Sequence, residues 1–218
     1  MTAWLNSWQS GHLTAFDVAN ACETISGSLD VTIRGTRHPW VELLALHGPI
    51  SSPFRVALPS PGNPDGIPLD VLTNFETTHG LIVMGNHLVI GTSPDSTWQS
   101  AEVELSTIQY DLQDARISML EALQNAQDSL SHLDLIGSRA TADDTLKDLS
   151  FGQLPPSTPK RTIDAIDLAF RITTLASIAK DESAAPSSRS QDHERIRILT
   201  ELEKSAQYLL QAAVSSVH

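Results

Sequence analysis

The stretch LIVMGNHLVI, residues 81–90, decides the fold of the first half of this chain. Two apolar runs rich in β-branched residues, Leu81–Met84 and His87–Ile90, flank the dipeptide Gly85-Asn86. Gly and Asn readily adopt the positive φ angles that a two-residue hairpin turn requires. The stretch therefore predicts two neighbouring antiparallel strands.

Similar short runs lie on both sides of this hairpin. Val31–Arg34, Val41–His47 and Phe54–Leu58 precede it, and Ala101–Leu105 follows it. Each run is strand-sized, and residues typical of turns separate them. The spacing predicts five or six short strands in a mostly antiparallel sheet.

Two short helices are predicted before the first strand, over residues 3–10 and from about 15 to 26, the second capped by Thr14. Trp4 and Trp8 are four residues apart, so they share one face of the first helix. Burial in the core is one interpretation of this pair. The other is an interface with a partner protein, because Trp is enriched at binding hot spots.

After about residue 106 the apolar pattern changes to a helical period. The predicted helices cover about 106–136, 142–149, 158–179 and 192–217. Short connections between them predict antiparallel neighbours. The fold class is therefore α+β: a small antiparallel sheet with short N-terminal helices, followed by an antiparallel bundle of three or four helices. We expect an α+β part over 1–105 and a bundle over 106–218, with one shared core.

Three features occur together in this chain: a Trp-rich first helix, a strand ending in LPSPGNPDG at residues 58–66, and two C-terminal helices around a polar loop. This combination resembles a family of conserved actinobacterial proteins that has no assigned function. The resemblance covers most of the chain, although the family more often carries Asp at the position of Asn63. It implies the same architecture and brings no activity or site residues with it.

The most turn-dense part of the chain is PSPGNPDGIP, residues 59–68, which we call the Pro/Gly loop. Prolines stiffen it and glycines permit unusual backbone angles, so it is a candidate rim for a binding pocket. A structural loop covering one end of the sheet is the alternative. It lacks the Lys of a phosphate-binding P-loop. The candidate binding residues are Pro61, Gly62, Asn63, Asp65, Gly66, His79 and His87.

Catalytic and metal-binding motifs give no clear signal. The eight histidines form no HxxxH or HExxH pair, and no G-x-S-x-G motif occurs. Cys22 is the only cysteine, so an intramolecular disulfide is impossible. We predict no catalytic residues, no metal and no cofactor, and leave open whether the protein is an enzyme.

The net charge and the hydropathy of the chain limit the classes of partner that are expected. The 14 Lys and Arg against 26 Asp and Glu give a net charge of −12, and residues 1–100 hold only Arg34, Arg37 and Arg55 as basic residues. Nucleic-acid binding needs clustered cations, so neither nucleic acid nor an anionic membrane is an expected partner. No apolar run is long enough to span a bilayer, and the N-terminus does not look like a signal peptide. Together with the single cysteine, this predicts a cytoplasmic protein.

Two functional hypotheses follow. The first is a non-enzymatic protein–protein interaction protein, whose partner is another protein or a second copy in a homodimer. Long amphipathic helices and the terminal tryptophans favour it. The alternative is a small-molecule-binding protein or enzyme with its pocket at the Pro/Gly loop.

Overall fold

The structure is a computed structural model that describes residues 1–27, 30–47, 54–60, 62–75, 80–85, 88–92, 97–106, 108–132, 153–181 and 189–217. Within these ranges the chain forms seven helices and one six-stranded sheet, which confirms the α+β class. The helices are α1 Thr2–Gln9, α2 Ala15–Ser26, α3 Trp40–His47, α4 Leu69–Leu72, α5 Leu112–His132, α6 Lys160–Asp181 and α7 Arg189–Ser215. The strands are β1 Asp30–Ile33, β2 Thr36–Pro39, β3 Arg55–Ala57, β4 Leu81–Met84, β5 Leu88–Thr92 and β6 Trp98–Glu102.

The strands lie in the order β2-β1-β6-β5-β4-β3. The predicted antiparallel pair is present as β4 and β5, with Val83 opposite Val89. The predicted two-residue connection is wrong, because Met84 pairs with Leu88 and three residues therefore separate the paired positions. All other neighbours are antiparallel as well, except β1 and β6, which run parallel where Thr32 pairs with Gln99. The sheet is therefore mixed at this one position. Its end strand, β3, pairs only with β4 among the described strands.

The prediction of a strand over Val41–His47 is wrong, because this segment is helix α3. Trp40, Leu43 and Leu44 are all buried, and their spacing of three and four residues places them on one helical face. A short, continuous apolar run fits a buried strand and a buried helix equally well by composition. Here the buried face packs against the sheet, and this packing favours the helix over the strand.

Two strands also differ from their predicted positions. The sequence analysis missed β2, which follows β1 after a turn at Arg34 and Gly35, both with positive φ. Strand β6 begins at Trp98, three residues before the predicted start. The predicted helix at 142–149 lies outside the described residues.

The chain folds into two compact units. The first contains Met1–Tyr110, Gln153–Pro159 and Val214–His218, and the second contains Asp111–Gly152 and Lys160–Ala213. The described part of the second unit consists of α5, all of α6 and most of α7. Its helices bury mainly Ala, Leu and Ile, and the Lys180 ammonium lies 2.5 Å from the Glu203 carboxylate, which links α6 to α7.

In the first unit, each face of the sheet has its own apolar cluster. One face packs against α1, α2 and α3, and its cluster includes the T-shaped pair Trp40 and Trp98, with ring centroids 5.5 Å apart. The other face packs against the segment that contains α4. Its buried members are Ala57, Ile67, Phe75, Leu81, Val83, Val89 and Leu105.

The buried side chain of Asn6 connects three separate parts of the first unit. Its Nδ2 donates hydrogen bonds to the carbonyl oxygens of Phe54 at 2.9 Å and Val214 at 3.1 Å, and its Oδ1 accepts one from the Phe54 N–H at 2.8 Å. Val214 lies in the last turn of α7, where carbonyl groups lack helical partners. One amide therefore holds α1, the start of β3 and the end of α7 together.

We expect Asn6→Asp to lower the free energy of unfolding by about 3 kcal/mol, because a carboxylate cannot donate to the two carbonyls and would bury a charge. Asn20→Asp is the matched control, since Asn20 is an exposed residue of α2 and its substitution should cost less than about 0.5 kcal/mol. Urea unfolding followed by circular dichroism measures both. Equal midpoints for the two variants would contradict the role of the Asn6 amide.

Candidate functional site

Two side-chain contacts hold the edge strand β3, one at each end. At its start the Asn6 amide binds both backbone groups of Phe54. At its end the Asp65 carboxylate accepts a 2.7 Å hydrogen bond from the Leu58 N–H. Residues 54 and 58 are an even number of positions apart, so their backbone groups point to the same side of the strand. Both contacts therefore occupy the edge of β3 that faces away from β4.

The Pro/Gly loop uses its own polar groups to hold its shape. Ser60 and Asn63 exchange two backbone hydrogen bonds, each 2.8 Å long. The Asn63 side-chain oxygen accepts from the Asp65 N–H at 3.3 Å, and the Ile67 N–H donates to the Pro64 carbonyl at 3.1 Å. The loop is thus internally hydrogen-bonded along most of its length.

Gly66 lies close to two side chains outside the loop. It has a φ of +75°, and a Cβ built on it would lie 3.3 Å from Ile108 Cδ1 and 4.0 Å from Arg55 Nη2. Asp65, just before it, also has a positive φ of 53°. A residue without a side chain is needed here both for the backbone angle and for the space.

The side chain of Arg55 is the most unusual feature of this region. Arg55 is only 6% exposed, and its pairing with Val83 places it on the sheet face that carries the second apolar cluster. Neither Nη1 nor Nη2 has a hydrogen-bond partner among the described residues. Burying an unpaired charge costs several kcal/mol, so such a group calls for an explanation. We call Arg55, Gly66, Ile108 and the Pro/Gly loop the Arg55 site.

The described part of the predicted binding set is Gly62, Asn63, Asp65 and Gly66, which lie together in the loop. The other three predicted residues, Pro61, His79 and His87, lie outside the described residues. Arg55 itself was missed by the sequence analysis. The available signal was a charged residue inside the apolar strand FRVAL, in a region with very few cations.

The predicted interface residues Trp4 and Trp8 are both half-buried against the first apolar cluster. The indole N–H of Trp4 donates a 2.9 Å hydrogen bond to the carbonyl of Gln153, and the ring centroid of Trp8 lies 6.5 Å from that of Phe54. Both side chains thus have contacts within the first unit. Their role in binding a partner stays a prediction.

Cys22 is fully buried, and its Sγ lies 3.0 Å from the Met1 sulfur. Burial raises the pKa of its thiol to about 12, because the thiolate would lose its hydration. At neutral pH the group is therefore an uncharged thiol, whereas nucleophilic catalysis by cysteine requires the thiolate.

The described residues hold neither a metal-binding cluster nor a membrane-spanning helix. No three His, Cys, Asp or Glu side chains come together there in a group that could hold a metal ion. None of the described helices combines the length and the hydropathy needed to cross a membrane.

The second unit has a groove of its own, with a volume of about 430 Å³, between α5 and α7. Its walls carry both signs of charge, with Glu121 on α5 and Arg197, Glu201 and Lys204 on α7. The Arg197 guanidinium binds the carboxylates of Glu194 and Glu201 on its own helix, at 2.6 and 2.8 Å.

The comparisons with known proteins concern the helical part of this α+β chain. Residues 113–208 match the model of a family described as Rv1486c-like protein, C-terminal domain. The match spans somewhat less than half of the chain and supports the predicted resemblance to an uncharacterised family. No curated protein and no solved structure gives a significant match.

We expect Arg55→Met to raise the free energy of unfolding by about 1–3 kcal/mol in a buffer without carboxylates, phosphate or sulfate. The reason is that an apolar side chain of similar length replaces a buried charge that is unpaired among the described residues. Arg34→Met is the control, since Arg34 is largely exposed and pairs with Glu102 at 2.6 Å on the surface. That variant should change the stability little. Chemical unfolding of the three proteins measures the difference. A clear loss of stability in Arg55→Met would mean that the guanidinium already has a partner in the folded protein.

Proposed function

We propose that the protein binds a small anionic molecule at the Arg55 site. The observation that carries this proposal is the buried guanidinium, two nitrogens of which have no hydrogen-bond partner in the part of the chain that the structure describes. An anion supplies both the opposite charge and the hydrogen-bond acceptors for this guanidinium. A charge-assisted hydrogen bond is about twice as strong as a neutral one. A residue that costs stability in the free protein is typical of a functional site.

The position of Gly66 supports access to this guanidinium. Gly66 is exposed, and a Cβ built on it would lie 4.0 Å from the buried Nη2 of Arg55. The half-buried side chain of Ile108 lies beside the same position, 3.3 Å from that Cβ. Because Gly66 has no side chain, the guanidinium lies close to an exposed part of the backbone.

Thermal unfolding in the presence of anions tests this proposal. Acetate, hexanoate, phosphate and sulfate are compared at constant ionic strength for the wild type, Arg55→Met and Arg34→Met. We expect at least one anion to raise the Tm of the wild type and of Arg34→Met, and to leave that of Arg55→Met unchanged, since a ligand stabilises only the state that binds it.

The same Tm response in all three proteins would reflect general salt effects and would overturn the proposal. So would the lack of any response in the wild type.

Self-association through α5 is a second candidate function, and one observation favours it. Ile117 and Leu120 are three residues apart on α5, and they are 48% and 61% exposed. Exposed apolar groups of this size often mark interfaces. The neighbouring groove carries charges of both signs, so a second copy related by a twofold axis presents complementary charges to it. The partner in this candidate is therefore another copy of the chain.

We expect Ile117→Ser combined with Leu120→Ser to convert the dimer to monomer, as measured by sedimentation velocity over a range of concentrations. Phe16→Ser is the control, because Phe16 is 66% exposed but lies on α2 in the other unit. A wild type that sediments as a monomer at all concentrations contradicts this candidate.

We also propose that the protein acts in the cytoplasm and that its relatives are actinobacterial. The presence of a single, buried cysteine supports a reducing compartment, because proteins of oxidising compartments more often carry cysteines in disulfide pairs. The resemblance of the Trp-rich first helix and the Pro/Gly loop supports the actinobacterial family.

A further inference from the structure

We infer that the anion bound at the Arg55 site is a monocarboxylate with an apolar group attached, rather than a phosphate. This inference rests on the proposed anion-binding function. It follows from the shape of the free donor groups, from the hydrogen bonds inside the loop, and from the charges and apolar groups around them.

The free donors of Arg55 match a carboxylate. Neither terminal nitrogen of the guanidinium has a hydrogen-bond partner within the described ranges, and the two belong to one planar fork. Two parallel N–H···O hydrogen bonds from such a fork to the two oxygens of one carboxylate are a common and strong geometry.

The backbone of the Pro/Gly loop has few donors left for a phosphate. Phosphate sites in loops use several free N–H groups that point at the same ligand. Here the N–H groups of Ser60, Asn63, Asp65 and Ile67 all donate within the loop, and that of Leu58 donates to the Asp65 carboxylate. The prolines at positions 59, 61, 64 and 68 have no N–H to offer.

The charges nearby favour a ligand with a single negative charge. Apart from Arg55, the arginines in the described part of the first unit are Arg34 and Arg37. Arg37 is on β2 and Arg34 is in the turn before it, at the opposite edge of the sheet from β3. The carboxylate of Asp65 lies within the loop itself, so a second negative charge on the ligand would be repelled.

Apolar side chains lie in the Pro/Gly loop and next to it. Ile67 is buried in the loop, Ile108 lies beside Gly66, and Leu69 is the residue after Pro68, with 71% of its surface exposed. Covering such apolar surface with an alkyl group removes it from water, which favours binding. The ligand that fits these features has one carboxylate for Arg55 and an alkyl or aryl group for the apolar side chains next to the loop.

Titration calorimetry tests this inference with hexanoate, acetate and inorganic phosphate as probes at constant ionic strength. We expect hexanoate to bind more tightly than acetate, and phosphate to show no binding that depends on Arg55. Arg55→Lys keeps the charge but loses the planar fork, so hexanoate affinity should fall about tenfold or more.

Two glycine variants separate the local contact from the general cost of a positive φ. Gly66→Ala places a methyl group 3.3 Å from Ile108 Cδ1 and 4.0 Å from Arg55 Nη2, and we expect it to weaken hexanoate binding about tenfold. Gly11→Ala is the matched control, because Gly11 lies outside the Arg55 site with a φ of +79° and has no neighbour within 4 Å of the new Cβ. It should bind hexanoate like the wild type.

The outcomes distinguish the inference from the proposed function. Phosphate binding that is lost in Arg55→Met, at an affinity equal to that of hexanoate, overturns the carboxylate inference and leaves the anion site standing. If acetate binds as tightly as hexanoate, the part of the inference that assigns an apolar group to the ligand is wrong. If no probe binds in a manner that depends on Arg55, both the inference and the proposed function are wrong.

Discussion

The side-chain amide of Asn6 is the contact on which the arrangement of the first unit depends. It forms hydrogen bonds with both backbone groups of Phe54, as a neighbouring strand would. It also donates a hydrogen bond to the Val214 carbonyl at the end of α7. These groups lie 48 and 208 residues away in the sequence. The Phe54 contacts are buried and the Val214 contact is partly buried, so losing the amide would leave these backbone groups without their hydrogen bonds. The amide therefore stabilises the packing of α1 in the first unit.

This contact also determines where Arg55 lies. Strand β3 has only three residues, and an edge strand of that length is weakly held by its one neighbour. Asn6 fixes the residue before Arg55, and Asp65 fixes Leu58 on the other side. The guanidinium is thus kept on the apolar face of the sheet although a single-residue shift would turn it to the other face. Such rigid support is what a binding site requires if its charged group is to be ready for a ligand.

Much of this fold could be predicted from local sequence patterns. The hairpin around Gly85 and the cap of α2 at Thr14, where Asp17 completes a capping box, both depend on residues close together in the chain. Helix α3 could not be predicted, because its apolar run acquires a preference only when it packs on the sheet. The Pro/Gly loop, one part of the candidate site, could be predicted from the sequence. Arg55 could not be predicted, because its burial and its lack of partners among the described residues depend on contacts that are distant in the sequence.

The family match and the proposed site belong to different segments of the chain. The match begins at residue 113, whereas Arg55, Gly66 and Ile108 all precede it. A shared helical domain requires that its buried Ala, Leu and Ile positions be kept, and this says nothing about a guanidinium on β3. A relative with a hydrophobic residue in place of Arg55 would keep the helical domain and lose the anion site. Binding at Arg55 is therefore a property to be tested on this chain and on each relative separately.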